Sequence, residues 1–229
     1  MVGRTGPWPP ASVMAKLRPA EREALLASGT EREFPHGSLL VLQGELGKDL
    51  FVLLDGYVKV VVDTERGTPA ILAIRARGDL IGEFAVIDEG VRTASVVAVN
   101  AVVAVRISRQ RYQEFGTRFP EAKETIFKSV ITKMRLATER RMEARIPDTQ
   151  KRFAKALYEL AVAHGVLDEE GVVIPLPLSK FELGNLAGVG ESTTERHLKE
   201  FRDKGLVRTR YKGIVILELE RLRLLWDTE

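Results

Sequence analysis

Ile81-Gly82-Glu83-Phe84-Ala85-Val86-Ile87-Asp88-Glu89-Gly90-Val91-Arg92-Thr93-Ala94-Ser95-Val96 is the stretch on which the reading of this chain turns. It sets a glycine and a carboxylate, Gly82 and Glu83, a short loop away from Arg92 and the hydroxyl of Thr93, in a region that otherwise alternates like β-structure. A guanidinium fork matches the oxygens of a phosphate, and backbone N–H groups beside a glycine can approach the same oxygens. A carboxylate next to them can accept from a sugar hydroxyl. The residue types therefore suit a small cyclic nucleotide; the plainer alternative is a β-hairpin carrying one solvated Arg and one solvated Glu.

The spacing resembles the phosphate-binding cassette of the CRP/FNR family of bacterial transcription regulators, roughly Gly-Glu, an apolar turn, then Arg-Ser/Thr-Ala. Gly82, Glu83, Arg92, Thr93 and Ala94 fill those places. The surrounding chain has the texture that the resemblance implies. Short apolar, β-branched runs at 39–43, 50–54, 57–62, 70–74, 94–99 and 101–107 are separated by Gly37, Gly44, Gly56, Gly67 and Gly78, a pattern of sandwich or jelly-roll strands. Residues 63–67, Asp-Thr-Glu-Arg-Gly, read as a hairpin loop. One or two short helices are expected over residues 11–28.

Phe119-Pro120-Glu121 opens a long helix, with Pro near its first turn. Phe127, Val130, Met134 and Ala137, continued in phase by Arg141 and Ala144, step by three and four as a dimer seam would. The same stripe could instead pack on its own domain. Pro147 ends the helix at an interdomain hinge. Beyond it Phe153, Ala156, Leu157 and Leu160 form one helical face, and residues 168–171 turn into a strand over 172–176. Ser179-Lys180-Phe181-Glu182 is a capping box. Gly184 and Gly188 allow a second helix to cross closely, starting at Gly190 or at Ser192, where Ser-Thr-Thr-Glu repeats the capping pattern. Residues 208–210 and 214–217 read as wing strands. This order is that of a winged helix-turn-helix.

The expected fold is therefore α+β: a cyclic-nucleotide-binding β-roll over residues 11–119, a dimerisation helix and hinge over 120–147, and a winged helix-turn-helix over 148–229. The resemblance implies a homodimer controlled by a cyclic nucleotide, cAMP or another, which binds a palindromic operator in double-stranded DNA and works with RNA polymerase. It places Arg92, Thr93 and Ala94 at the phosphate, Glu83 and Gly82 at ribose and phosphate with Phe84 beside them, and Leu72 against the base. The family's two consecutive polar base contacts on the dimer helix fall at Ala137 and Thr138. Only Thr138 can bond through its side chain, which weakens adenine selectivity. On the DNA side it places Arg196 where many members hold a guanine, Thr193 and Lys199 at phosphates, and Lys180 at the start of the first helix. Glu191 and Ser192 stand where members that read TGTGA carry Arg and Glu, so a different half-site is expected.

Composition narrows the alternatives. The chain has 229 residues, 45% hydrophobic and 29% charged, with a formal charge of +3 and no cysteine. It has no disulfide, thiolate cluster or catalytic thiol to offer. His36, His164 and His197 show no ligand spacing, so no metal is assigned. Residues 179–212 carry eight Lys or Arg against five acids, a modest basic face. The start of the chain lacks the apolar core of a signal peptide, and the longest apolar stretch, 96–107, is interrupted by Asn100 and Arg106. A cytosolic protein with no membrane partner is expected.

An enzyme has little support. Gly188-Val189-Gly190-Glu191-Ser192 is followed by no Gly-Lys-Ser/Thr, and neither Gly-x-Ser-x-Gly nor His-Glu-x-x-His occurs. Two other readings stay open: a regulator of the same fold that binds DNA without a cyclic nucleotide or with another effector, and a cyclic-nucleotide module governing a partner protein.

Overall fold

The computed structural model describes residues 6–63, 69–143, 147–211 and 213–227. Residues 64–67 of the expected hairpin loop and the Ala144 position of the seam lie outside them, as does the Arg141 side chain. The chain divides into two compact units, Met1–Ala137 and Thr138–Glu229.

In the first unit two short helices, α1 (Val13–Lys16) and α2 (Pro19–Ala27), precede the strands β1 (Thr30–Phe34), β2 (Leu39–Val41), β3 (Asp49–Asp55), β4 (Val58–Val62), β5 (Ala70–Arg75) and β6 (Leu80–Ile81). Then come α3 (Glu83–Ile87), β7 (Ser95–Ala98), β8 (Val102–Ser108), α4 (Arg109–Arg118) and the long α5 (Pro120–Glu143), whose residues from Thr138 on belong to the second unit. The strands form two antiparallel four-stranded sheets, in the orders β1-β8-β3-β6 and β2-β7-β4-β5. Alternation along β3 sends Phe51 and Leu53 to one face, where they meet Val41, Val58 and Val96 of the other sheet. Leu50 and Val52 go to the opposite face, against α1, Tyr112 and Phe115 of α4, and Ala122 and Ile126 of α5. The long helix thus closes the core through Ala122, Ile126, Ser129 and Val130.

That packing corrects the seam. Val130 is 7% exposed and belongs to its own unit, while Phe127 and Met134 are 48% and 57% exposed. With half-buried Ile131 they form an exposed apolar stripe, one helical position round from the expected one.

Tyr112 is buried in this core and its hydroxyl has no hydrogen-bond partner among the described residues. Burial, and secondarily the charge of Glu83, push its phenol up to about 12. A phenol in the unfolded chain ionises near ~10. The folded state therefore holds this proton more tightly than the unfolded one. The term is absent below about pH 10, and stability falls by about 2–3 kcal/mol as pH rises from about 10 to about 12. Burial raises Tyr57 as well, so the comparison must be with Tyr112→Phe. That variant is expected to leave neutral-pH stability almost unchanged and to flatten the alkaline loss in urea unfolding. An unaltered alkaline curve would contradict the assignment.

In the second unit α6 (Thr149–His164) leads to β9 (Val166–Asp168), β10 (Gly171–Ile174), α7 (Lys180–Leu186), α8 (Glu191–Asp203), β11 (Val207–Arg210), β12 (Gly213–Ile216) and α9 (Leu219–Leu224). Asp148 caps α6 by accepting from the N–H groups of Gln150 and Lys151. The four strands form one sheet in the order β11-β12-β10-β9. Phe153 of α6 packs with His197 and Phe201 of α8 at the centre.

Candidate functional site

In the first unit the cassette is built by loop-to-loop pairing. The β2–β3 loop and the segment before Arg92 exchange backbone bonds: Gly44 N–H to Arg92 O at 2.9 Å, Arg92 N–H to Glu45 O at 2.8 Å and Gly47 N–H to Gly90 O at 3.2 Å. Gly82 precedes α3 with φ at +77°, and a Cβ there would lie 2.4 Å from Arg92 Nη1. Glycine is required both for the left-handed backbone and for the guanidinium to come this close. Arg109, on α4, donates to Gly47 O at 2.6 Å and Ala85 O at 3.1 Å, tying the same loop to α3.

Arg92 is buried, and its fork is turned inward rather than held open for a phosphate. Nη1 donates to Gly82 O at 2.6 Å and Nη2 to Asp49 O at 2.5 Å. Burial pushes the guanidinium below its ordinary value, offset in part by Asp49, Glu83 and Glu45. Two carbonyl bonds leave three of its five N–H donors for another partner.

Glu83 is buried beside it, and its acceptor is already engaged. Lys133 Nζ, from α5, lies 2.6 Å from Glu83 Oε1 and also donates to Leu80 O at 2.9 Å, with side chains only 14% and 4% exposed. Sequence reading missed Lys133. Its signal was a charge at a position where the helix faces its own core, four residues after Ser129, recoverable only with the phase of α5 in hand.

The other predicted residues are less enclosed. Phe84 is half-buried on α3, Ala94 is buried and Thr93 is exposed. Leu72 projects from β5 at 46% exposure. Ala137 and Thr138 are exposed on α5. A cavity of about 690 Å³ adjoins Arg92, floored by Phe34 and Phe51 and edged by Arg32, Lys48 and Arg106; no other predicted ligand residue lines it. Among the described residues no helix is long and apolar enough to cross a membrane.

In the second unit Ser179 caps α7, accepting from Glu182 N–H at 3.1 Å while Glu182 accepts from Ser179 N–H at 2.8 Å. A Cβ on Gly184 would lie 2.2 Å from Thr194 Oγ1, so the side chain of Thr194 on α8 packs directly on the α7 backbone at this glycine. Gly188, at φ +65°, makes the turn between them. Arg152 of α6 steadies that turn, donating to Ala187 O at 3.2 Å and Gly188 O at 3.1 Å. Helix α8 starts at Glu191 with Gly190 as N-cap, so Ser192 lies in its first turn and is not the cap.

Thr194, His197, Leu198 and Phe201 bury one face of α8, and Thr193 is half-buried at its side. Glu191, Ser192, Glu195, Arg196 and Lys199 share the exposed face. Arg196 and Lys199 are held in no ion pair among the described residues. Lys180 is different: its ammonium lies 2.5 Å from Glu195 Oε1 and holds that carboxyl below the usual range. Glu195 was not among the predicted contacts, although its place on the reading face follows from the phase of α8.

Comparisons with known proteins agree with both halves. The family described as "Cyclic nucleotide-binding domain" matches residues 31–118, and the "Crp-like helix-turn-helix domain" family matches residues 151–225. The CRP-like cAMP-activated global transcriptional regulator of Mycobacterium tuberculosis is 26% identical over 93% of this chain and 95% of its own length. The cyclic AMP receptor protein of Thermus thermophilus is 28% identical over 84% of this chain and 86% of its own. Among solved structures, FixK2 from Bradyrhizobium japonicum shares the fold, with TM-score 0.77 at 17% identity over 88% of this chain and 98% of that one. With the two domain families in this order and regulators, not enzymes, among its curated relatives, the chain belongs to the CRP/FNR family of transcription regulators, as a CRP-like member with a cyclic-nucleotide-binding β-roll and a helix-turn-helix.

Proposed function

We propose that this regulator binds DNA as a homodimer under the control of a cyclic mononucleotide, with cAMP, the effector named for the Mycobacterium relative, as the ligand. The observation that carries this reading is the buried Arg92 and Glu83 with the half-buried Lys133, on three separate segments. A cyclic phosphate takes the free donors of Arg92 and the Thr93 hydroxyl, and a ribose hydroxyl competes with Lys133 for Glu83. Phe84 and Ala94 shape the cassette around them, and Leu72 and Thr138 meet the base. Because Lys133 sits on α5, ligand entry alters the hold of the cassette on the long helix, which gives the two sites a shared element.

Domains over 11–119, 120–147 and 148–229 carry ligand binding, dimerisation and DNA reading. The second copy covers Phe127, Ile131 and Met134. The dimer then presents two α8 helices to a palindromic operator in the cytosol. Arg196 reads a base, Glu191 and Ser192 set the rest of the half-site, and Lys180, Thr193 and Lys199 contact the backbone. Productive initiation needs RNA polymerase as a further partner.

A second reading is a different effector. The cavity beside Arg92, which no other expected ligand residue lines, favours it, and a regulator of the same fold from Xanthomonas campestris is described as c-di-GMP responsive. Titration calorimetry of the full chain with cAMP, cGMP and cyclic di-GMP separates the two. Saturable cAMP binding is expected, weakened at least about tenfold in Arg92→Leu through lost charge-assisted bonds. Binding of cyclic di-GMP alone selects the second reading, and no binding of either mononucleotide at millimolar concentration rejects the first. Sedimentation at micromolar protein should show a dimer; a monomer with and without ligand contradicts it.

A further inference from the structure

The strand that follows the reading helix carries two arginines whose charges are already matched. β11 leaves α8 after a turn at residues 204–206, and Arg208 and Arg210, two residues apart, project from the same face of the strand. Arg208 Nη1 lies 2.8 Å from Glu170 Oε2. Arg210 bridges two acids, with Nη1 2.9 Å from Asp168 Oδ2 and Nη2 2.7 Å from Glu170 Oε2. Both carboxylates come from the β9–β10 hairpin. The bond to Arg210 holds Asp168 and Glu170 below the usual carboxylate range, and Arg210 is raised in turn. Glu169, between the two acids, makes no ion pair among the described residues, and its backbone N–H goes to Asp168 Oδ1.

We propose that Arg208 and Arg210 form a phosphate site for the DNA backbone, held by Asp168 and Glu170 as internal phosphate mimics until the duplex displaces them. The inference rests on the DNA-binding reading given above. A carboxylate and a phosphate present the same acceptor geometry to a guanidinium fork. All four side chains are substantially solvent-exposed, where an ion pair is weak and exchanges readily. The hairpin therefore keeps the wing arginines extended and ordered but lowers the net attraction of this edge for any duplex. Non-specific binding, which is almost wholly electrostatic, is the part that falls most.

The test uses the full chain and a fluorescent duplex of random sequence, followed by anisotropy at fixed low salt. Glu170→Gln is expected to tighten binding about three- to tenfold, and the Asp168→Asn/Glu170→Gln double variant more. Glu169→Gln removes the same charge from the same hairpin without freeing an arginine, and is expected to change affinity less than about twofold. In an Arg208→Ala/Arg210→Ala background the Glu170→Gln gain is expected to vanish, as coupled residues require. Equal gains from Glu169→Gln and Glu170→Gln, or a gain that survives loss of both arginines, would overturn the proposal and leave only general charge. Tight wild-type binding untouched by every variant would overturn it while sparing the DNA-binding reading. Failure of all proteins, including the neutralised ones, to bind any duplex would remove that reading and this proposal together.

Discussion

Lys133→Met is expected to destabilise the first unit by about 3–5 kcal/mol, because it leaves the Glu83 carboxylate buried without its ammonium. The cost comes from the stranded charge and not from the worth of the pair, so adding Glu83→Gln to the same chain should restore most of the loss. The chain's two tryptophans fall one in each unit, Trp8 and Trp226, so fluorescence of a Trp226→Phe background follows the first unit alone through urea unfolding. A loss under about 1 kcal/mol would place the pair in effective contact with water. The same variant separates structure from signalling: with Glu83 freed from the helix, a ribose hydroxyl no longer competes for it, and ligand affinity should change without any loss of Arg92 or Thr93.

Arg196→Ala is expected to relax one symmetric pair of operator positions by about 1–3 kcal/mol of base discrimination, the loss that follows a bidentate contact to guanine. Its side chain stands on the exposed face of α8 free of ion pairs among the described residues, so truncation leaves the helix core of Thr194, His197, Leu198 and Phe201 intact. Lys199→Ala on the same face should weaken every site alike and lower the salt dependence by about one phosphate. Selection from a random duplex library, run in parallel on the two variants and the wild type, reads both effects. An unchanged motif from the Arg196 variant would move specificity to Glu191, Ser192 or Glu195. The carboxylates on this face repel phosphate and accept from a cytosine amino group, so the recovered half-site should differ from TGTGA.

Much of this architecture was readable where local chemistry and periodicity coincide. The cassette needs Gly82 at a left-handed position touching Arg92, and both residues stand out in the bare sequence. The capping box at Ser179 and the close crossing at Gly184 were equally legible, since each is a short-range constraint. What escaped depended on tertiary partners. Strand β1, Thr-Glu-Arg-Glu-Phe, is an edge strand with only Phe34 half-buried, so it shows no apolar alternation. Helix α4 is mostly polar, and only Tyr112, Phe115 and Gly116 are buried along it.

On α5 the apolar residues Val130 and Ile131 are adjacent, and a step of one residue rotates a helix by about 100°. Sequence alone could not say which of the two faces the core; packing against the sheet took Val130 and left Ile131 with Phe127 and Met134. Lys133 shares that ambiguity, because its partner is 50 residues away, at the start of α3. The wing was foreseen as two strands, but the carboxylates that hold its arginines belong to a hairpin nearly forty residues earlier.

In the proposed function one ligand governs the other. Anisotropy titration of a selected palindromic duplex, with and without saturating cAMP, tests it most directly. cAMP is expected to tighten the specific duplex at least about fivefold, and the duplex to tighten cAMP by the same factor, as linkage demands. Identical duplex affinities in the presence and absence of ligand, at a concentration where calorimetry shows the site filled, would contradict it.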